Sequence, residues 1–219
     1  MNANPARIRF VFAAAAPVAV ILRRGPSKWV HVLKWETRTD SIEPGAWFHG
    51  RIDADLCDLS PDGLLFAYRA AQYGNQHEPG YDDIWTAVSK PPWLTALAMW
   101  PRDDTWGGRA VFLDDRRLTI ERPHWEGPLV PHPKHLPQEI EATPRWIGRD
   151  APDQSLPKPA EKKARFVPES GKGHDHDGRP FFLKDGQLFR DVSDIPVPIA
   201  DFRLTMPRRT SSPAWARTW

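Results

Sequence analysis

The sequence predicts a mainly β protein assembled from antiparallel hairpins. Proline occupies 24 positions, and each ring removes a backbone donor and clashes with the turn before it, so long helices cannot run between them. Tryptophan occupies 11, a residue suited to half-buried β surfaces, where the indole body packs and its N–H finds a partner. Apolar residues also recur at period two. Trp29, His31, Leu33 and Trp35 fall on one side of a strand and Val30, Val32 and Lys34 on the other.

Residues 8–14 and 18–23 are short apolar runs rich in Val, Ile and Phe and are expected as the first two strands. Arg24-Gly25-Pro26-Ser27 turns the chain into the strand at 29–35. Residues 41–48 contain Pro44 and Gly45 and are expected as a bent edge strand. Ser60-Pro61-Asp62-Gly63 is a tight turn between apolar strands: Pro61 presets φ, Asp62 bonds its own backbone and Gly63 supplies positive φ. Strands are expected at 85–88 and 94–100, followed by a strand–turn–strand over 107–120 with Asp114-Asp115-Arg116 at its turn. Residues 123–170 are proline-rich with few apolar anchors, among them Trp125 and Trp146, and are expected as a connector. A hairpin about the Asp185-Gly186 turn follows, with a further strand over 197–204. The expected organisation is a β domain over 1–122, the connector over 123–170, a C-terminal hairpin segment over 171–206 and a basic tail over 207–219 that carries Trp215 and Trp219.

Leu59-Ser60-Pro61-Asp62-Gly63, followed by Leu64-Leu65-Phe66-Ala67-Tyr68, resembles the inner-strand turn of WD40-like and TolB-type β-propeller blades. The segment 89–101, Ser-Lys-Pro-Pro-Trp-Leu-Thr-Ala-Leu-Ala-Met-Trp-Pro, is similar to one shared by an uncharacterised bacterial family. These resemblances imply a partial β-propeller-like fold, and a small β-sandwich is the alternative. They imply no chemistry. The strands suffice for two blades, at most three, fewer than the ~4 of a closed propeller. The open edges then need a cover, and a homodimer or a protein partner is expected to supply it.

The formal net charge is +2, too near neutral to indicate nucleic acid. The single cysteine, Cys57, permits no intrachain disulfide and points to a reducing, cytoplasmic compartment. The charge-free run 10–22 behind Arg7 and Arg9 leaves export as the alternative. It is shorter than the ~18 residues that span a bilayer, so no membrane association is expected. Cys57 lies between carboxylates and is read as a buried structural thiol.

No nucleophile elbow or phosphate-binding loop is present, and no cofactor is expected. His174, Asp175, His176 and Asp177 offer metal-ligating side chains, but alternate residues of an extended segment face opposite ways. The position twelve along a calcium-type loop is Gly186 rather than Glu. This segment is read as a solvated turn, with a metal site as the alternative. Asp53, Asp55 and Asp58 are read as solvated charge, with a hydrolase or lyase cleft including His49 as the alternative. His132 and His135 sit among prolines that forbid a helix and are assigned to the connector. Trp85, Trp93, Trp100 and Trp106, with Tyr81, crowd into one acidic stretch more densely than a two-blade core needs. They are the candidate binding residues, and a non-catalytic binding or assembly module is the expected function.

Overall fold

The period-two runs become four sheets in the computed structural model, which describes residues 6–25, 27–74, 79–149, 172–203, 207 and 210–219. The first sheet is an antiparallel meander of β1 (Arg7–Phe12), β2 (Val18–Arg24), β3 (Trp29–Glu36) and β4 (Ser41–His49). In the second, β5 (Arg51–Ile52) and β6 (Asp58–Leu59) both pair with β7 (Phe66–Ala71), which continues into β8 (Ile84–Ser89) and β9 (Ala98–Arg102). In the third, β10 (Ala110–Phe112) is antiparallel to β11 (Arg117–Pro123), and β12 (Glu141–Ile147) lies parallel to β11. The fourth is a second meander, of β13 (Lys172–His174), β14 (Pro180–Lys184), β15 (Gln187–Val192) and β16 (Ile195–Asp201). Short 3-10 turns at Ala54–Leu56, His124–Glu126 and Ala214–Ala216 are the helical structure among the described residues. The protein is mainly β, as its composition predicts.

Alternation along each strand gives the sheets two apolar faces. Val30 and Val32 of β3 face the second sheet, where they join Leu59, Phe66 and Tyr68. Leu33 and Trp35 of the same strand face the fourth, with Phe181, Leu183 and Leu188. The far face of the second sheet, with Ala67, Val88 and Trp100, packs on Phe112, Leu118 and Ile120 of the third. The stacking order is therefore fourth, first, second, third. No buried apolar cluster joins third to fourth among the described residues, and no sheet closes into a barrel. The arrangement is that of a partial propeller or a multilayer sandwich.

Several expectations are corrected. Four sheets exceed the two or three blades counted from sequence. One strand, β12, was hidden because it lies inside the proline-rich connector, with Pro144 opposite Ile120. As an edge strand of its sheet, β12 tolerates a missing N–H. Pro196 and Pro198 occupy the edge strand β16 in the same way. Residues 150–170 of the connector lie outside the described residues. β9 starts at Ala98, four residues later than expected. Asp58, read as solvated, is fully buried. Its Oδ2 accepts the Phe112 N–H at 2.7 Å and its Oδ1 the Leu59 N–H at 2.9 Å, tying β10 to the second sheet. Residues 10–22 form the β1–β2 hairpin, and among the described residues no helix is long and apolar enough to cross a membrane.

The turn at Ser60–Gly63 forms as read. Gly63 N–H donates to the Ser60 carbonyl at 2.8 Å, and Asp62 Oδ1 accepts from the Leu64 N–H at 3.0 Å. Gly63 has φ of +76°, and a Cβ there would stand 2.9 Å from Val18 Cβ. Gly63→Val is therefore expected to destabilise the protein by roughly 1–3 kcal/mol, since a β-branched residue is strained at positive φ. Urea denaturation checks this, and an unchanged midpoint would contradict it.

Candidate functional site

The structure separates the five predicted binding residues. Trp93 and Trp100 are core, at 8% and 2% exposure. Trp85 is half-buried with its ring edge against Phe48, centroids 5.9 Å apart. Tyr81 is half-buried, its hydroxyl 2.9 Å from His135 Nε2 and its ring centroid 4.0 Å from that of His132. Of the five, Trp106 alone is open, at 67% exposure. Trp100 lies in β9, which is covered by the third sheet, and Trp93 in the buried connection before it.

The His174 to Asp177 segment is not a solvated turn throughout, because Asp175 is buried. Its Oδ1 accepts the N–H groups of Asp177 and Arg179, at 3.0 and 2.9 Å. Its Oδ2 accepts Nε of Arg179 at 3.1 Å and Nη1 of Arg190 at 2.8 Å. Asp177 pairs with Arg38 at 3.2 Å, while His174 and His176 stay exposed. Among the described residues no group of three or more His, Cys, Asp or Glu converges on a metal position. Asp53 pairs with Arg51 and Arg69, at 2.6 and 2.8 Å, and it does not join Asp55, Asp58 and His49 in a cleft. Cys57 is buried and donates to the Asp53 carbonyl, 3.1 Å away, and burial pushes its thiol far above the usual range.

The best-built polar and aromatic cluster lies at the end of the third sheet. Three chain segments meet there: the loop after β9, the 3-10 turn after β11 and the residues after β12. Gly107, at φ +67°, lets its loop lie close to β11 and β12. A Cβ there would meet the Glu121 carbonyl oxygen at 2.9 Å and Ile147 Cδ1 at 3.0 Å. Gly148 leaves room for the 3-10 turn, since a Cβ would stand 3.1 Å from His124 Nδ1 and 3.4 Å from the Trp125 ring. Trp106 and Trp125 thus emerge from neighbouring loops at one end of one sheet, 67% and 62% exposed.

Both loops are held by Arg102, whose side chain is 1% exposed. Its Nη2 donates to Asp104 Oδ1 and Glu126 Oε1, each at 3.0 Å, and to the Trp106 carbonyl. The Trp106 N–H donates to Asp104 Oδ1 at 2.9 Å. Arg122 Nη1 lies 3.2 Å from Glu126 Oε2, and its Nε donates to the Gly127 carbonyl at 3.0 Å. Two guanidiniums therefore clamp two carboxyls and the backbone of both tryptophan-bearing loops.

The two carboxyls are pushed in opposite directions. Burial, then the hydrogen bond to Asp104, pushes Glu126 up to about 7 against the pull of Arg102 and Arg122. Burial also acts to raise Asp104, but hydrogen bonds from Glu126, Arg102 and the Trp106 N–H outweigh it and hold Asp104 below the usual carboxylate range.

Arg102, Asp104 and Glu126 were not singled out by sequence, and Trp125 was read there as an apolar anchor of the connector. The available signal was local: Trp106 precedes a glycine and Trp125 stands two before one, which marks aromatic residues on tight turns. Comparisons of the chain with protein-family models, with curated proteins and with solved structures find no match.

A carboxyl raised in the folded state binds its proton more tightly there than in the unfolded chain. The stability this adds is fully present below the unfolded glutamate value of about 4.3 and is lost as pH rises through about 7. His31 works in the opposite direction, since burial and then Arg23 depress it to about 4. The expected result is therefore stated against a variant. From pH 5.5 to 8, the melting temperature of the natural protein should fall relative to that of Glu126→Gln, whose amide does not titrate. A constant difference across that range would contradict the raised Glu126.

Proposed function

We propose that the protein is a non-catalytic binding or assembly module whose recognition surface is the Trp106–Trp125 end of the third sheet. The observation that carries this is the pairing of two open indoles with a buried network of two arginines and two carboxyls that ties down both loops. Large aromatic anchors concentrate binding energy at protein interfaces. Loops fixed before contact lose less conformational freedom on binding. The occupant expected from the sequence, a second copy of the chain or another protein, suits such a surface. The proposed relation to propeller-repeat proteins rests on the Leu59 to Gly63 hairpin and on the blade-like meanders. A cytoplasmic setting is proposed on the lone thiol.

A second reading, catalysis by Asp104 and Glu126, is favoured by the near-neutral titration of Glu126. Against it, the Glu126 side chain is 6% exposed and both its oxygens face arginines, so neither is directed to a substrate. Hydrolysis of an ester or glycoside that disappears in Glu126→Gln would favour catalysis over binding.

Light scattering over a wide concentration range tests the assembly reading. The natural protein is expected to gain mass with concentration, and Trp106→Ala/Trp125→Ala to remain monomeric. Because both rings are exposed, the variant should keep its stability to within about 0.5 kcal/mol. A monomer at every concentration for both proteins would contradict assembly through this surface.

A further inference from the structure

The two turns that the sequence sets apart, Ser60–Gly63 and Asp114–Arg116, meet in space. The Asp62 N–H donates to Asp115 Oδ1 at 2.8 Å, which places Arg116 beside Leu64 and Leu65. The C-terminal tail crosses near them. Lys90 Nζ donates to the carbonyls of Thr218, at 2.6 Å, and Trp215, at 3.3 Å, while Thr95 and Ser212 share a hydroxyl hydrogen bond of 2.6 Å. Between turns and tail lies a cavity of about 300 Å³ lined by Lys34, Lys90, Arg116, Glu139, Trp215 and Trp219, among others.

Its lining side chains carry three positive charges, on Lys34, Lys90 and Arg116, and one negative charge, on Glu139. Lys90 spends hydrogen bonds on the tail, but no hydrogen bond or ion pair engages the side-chain charge of Lys34 or Arg116 among the described residues. Arg116 is exposed and Lys34 half-buried, and both line the cavity with no internal anion as partner among the described residues. The walls add flat apolar surface from two indoles, which favours a ring. A volume at the lower end of ligand cavities suits one ring and one acidic group rather than a polymer.

We propose that this cavity binds a small organic anion carrying a planar ring, with its acidic group on Lys34 and Arg116 and its ring against Trp215 and Trp219. The site is separate from the Trp106–Trp125 surface and does not depend on the function proposed for it. Phosphate and carboxylate share the required charge, so both are tested. Isothermal titration of the full chain uses four probes: adenosine monophosphate, indole-3-acetate, inorganic phosphate and adenosine. At least one of the two ring-bearing anions is expected to bind with one site per chain, and the tighter of them identifies the acidic group. Phosphate alone and uncharged adenosine should bind at least tenfold more weakly. Lys34→Ala and Arg116→Ala should each weaken that binding at least fivefold without moving the melting temperature, since neither side chain holds an internal partner. Trp215→Ala should weaken the ring-bearing anion while leaving the response to inorganic phosphate unchanged. Failure of both ring-bearing anions to bind overturns the proposal. So does equal affinity for phosphate alone or for adenosine, or binding that survives both charge removals.

Discussion

Val18, Ala19, Val20, Ile21 and Leu22 are consecutive and all buried, so β2 has no solvent face and the first sheet must be covered twice. The same holds for β7, buried along its whole length from Phe66 to Ala71. Two adjacent sheets that each need two covers can be satisfied by a stack of four layers, and the chain supplies them. Polar contacts then register the layers. Between first and fourth, Arg23 Nε donates to the Phe202 carbonyl at 2.7 Å, and Arg190 reaches both Asp40 and Asp175. Between second and third, the buried Asp58 carboxylate holds the Phe112 N–H. Apolar burial supplies most of the stability of such a stack, while directional bonds to buried groups fix which strand faces which.

The parts of this fold legible in the sequence are those set by local chemistry. The alternation in β3 places Val30 and Val32 on one core and Leu33 and Trp35 on another. The Pro61-Asp62-Gly63 turn needs only its own residues, and so does Asp185-Gly186, where both residues take positive φ. What stayed hidden depends on distant partners. Nothing near Glu141 announces a strand, because β12 is defined by pairing with β11 across the connector. Asp58 and Asp175 look solvated until Phe112 in one case and Arg190 in the other close over them. Trp100 looked like a spare aromatic because nothing local to it shows that Phe112, Leu118 and Ile120 pack over it.

The candidate site obeys the same division. Trp106 was legible as an aromatic in an acidic loop, but its support was not, since Arg102 gathers Asp104, the Trp106 carbonyl and Glu126 from two loops. Glycines 107 and 148 matter there for what they omit, leaving room for β11 and for the Trp125 turn. The outcome is a pair of exposed rings over a base of buried arginines and carboxyls. A surface of that kind is built to hold its shape, and the raised Glu126 lowers the cost of keeping two carboxyls in one place.

The layered stack stands or falls on whether buried contacts such as that of Asp58 hold the sheets in register. Asp58→Ala removes the acceptor and leaves the Phe112 N–H buried without it, a loss worth about 1–3 kcal/mol. Urea denaturation combined with amide hydrogen exchange reads this directly. The expected result is a single cooperative transition shifted to lower urea, with exchange at Phe112 and along β10 and β11 accelerated more than in β1 to β3. An unchanged midpoint with unchanged protection of the Phe112 amide would show that the third sheet is not held to the second in this way.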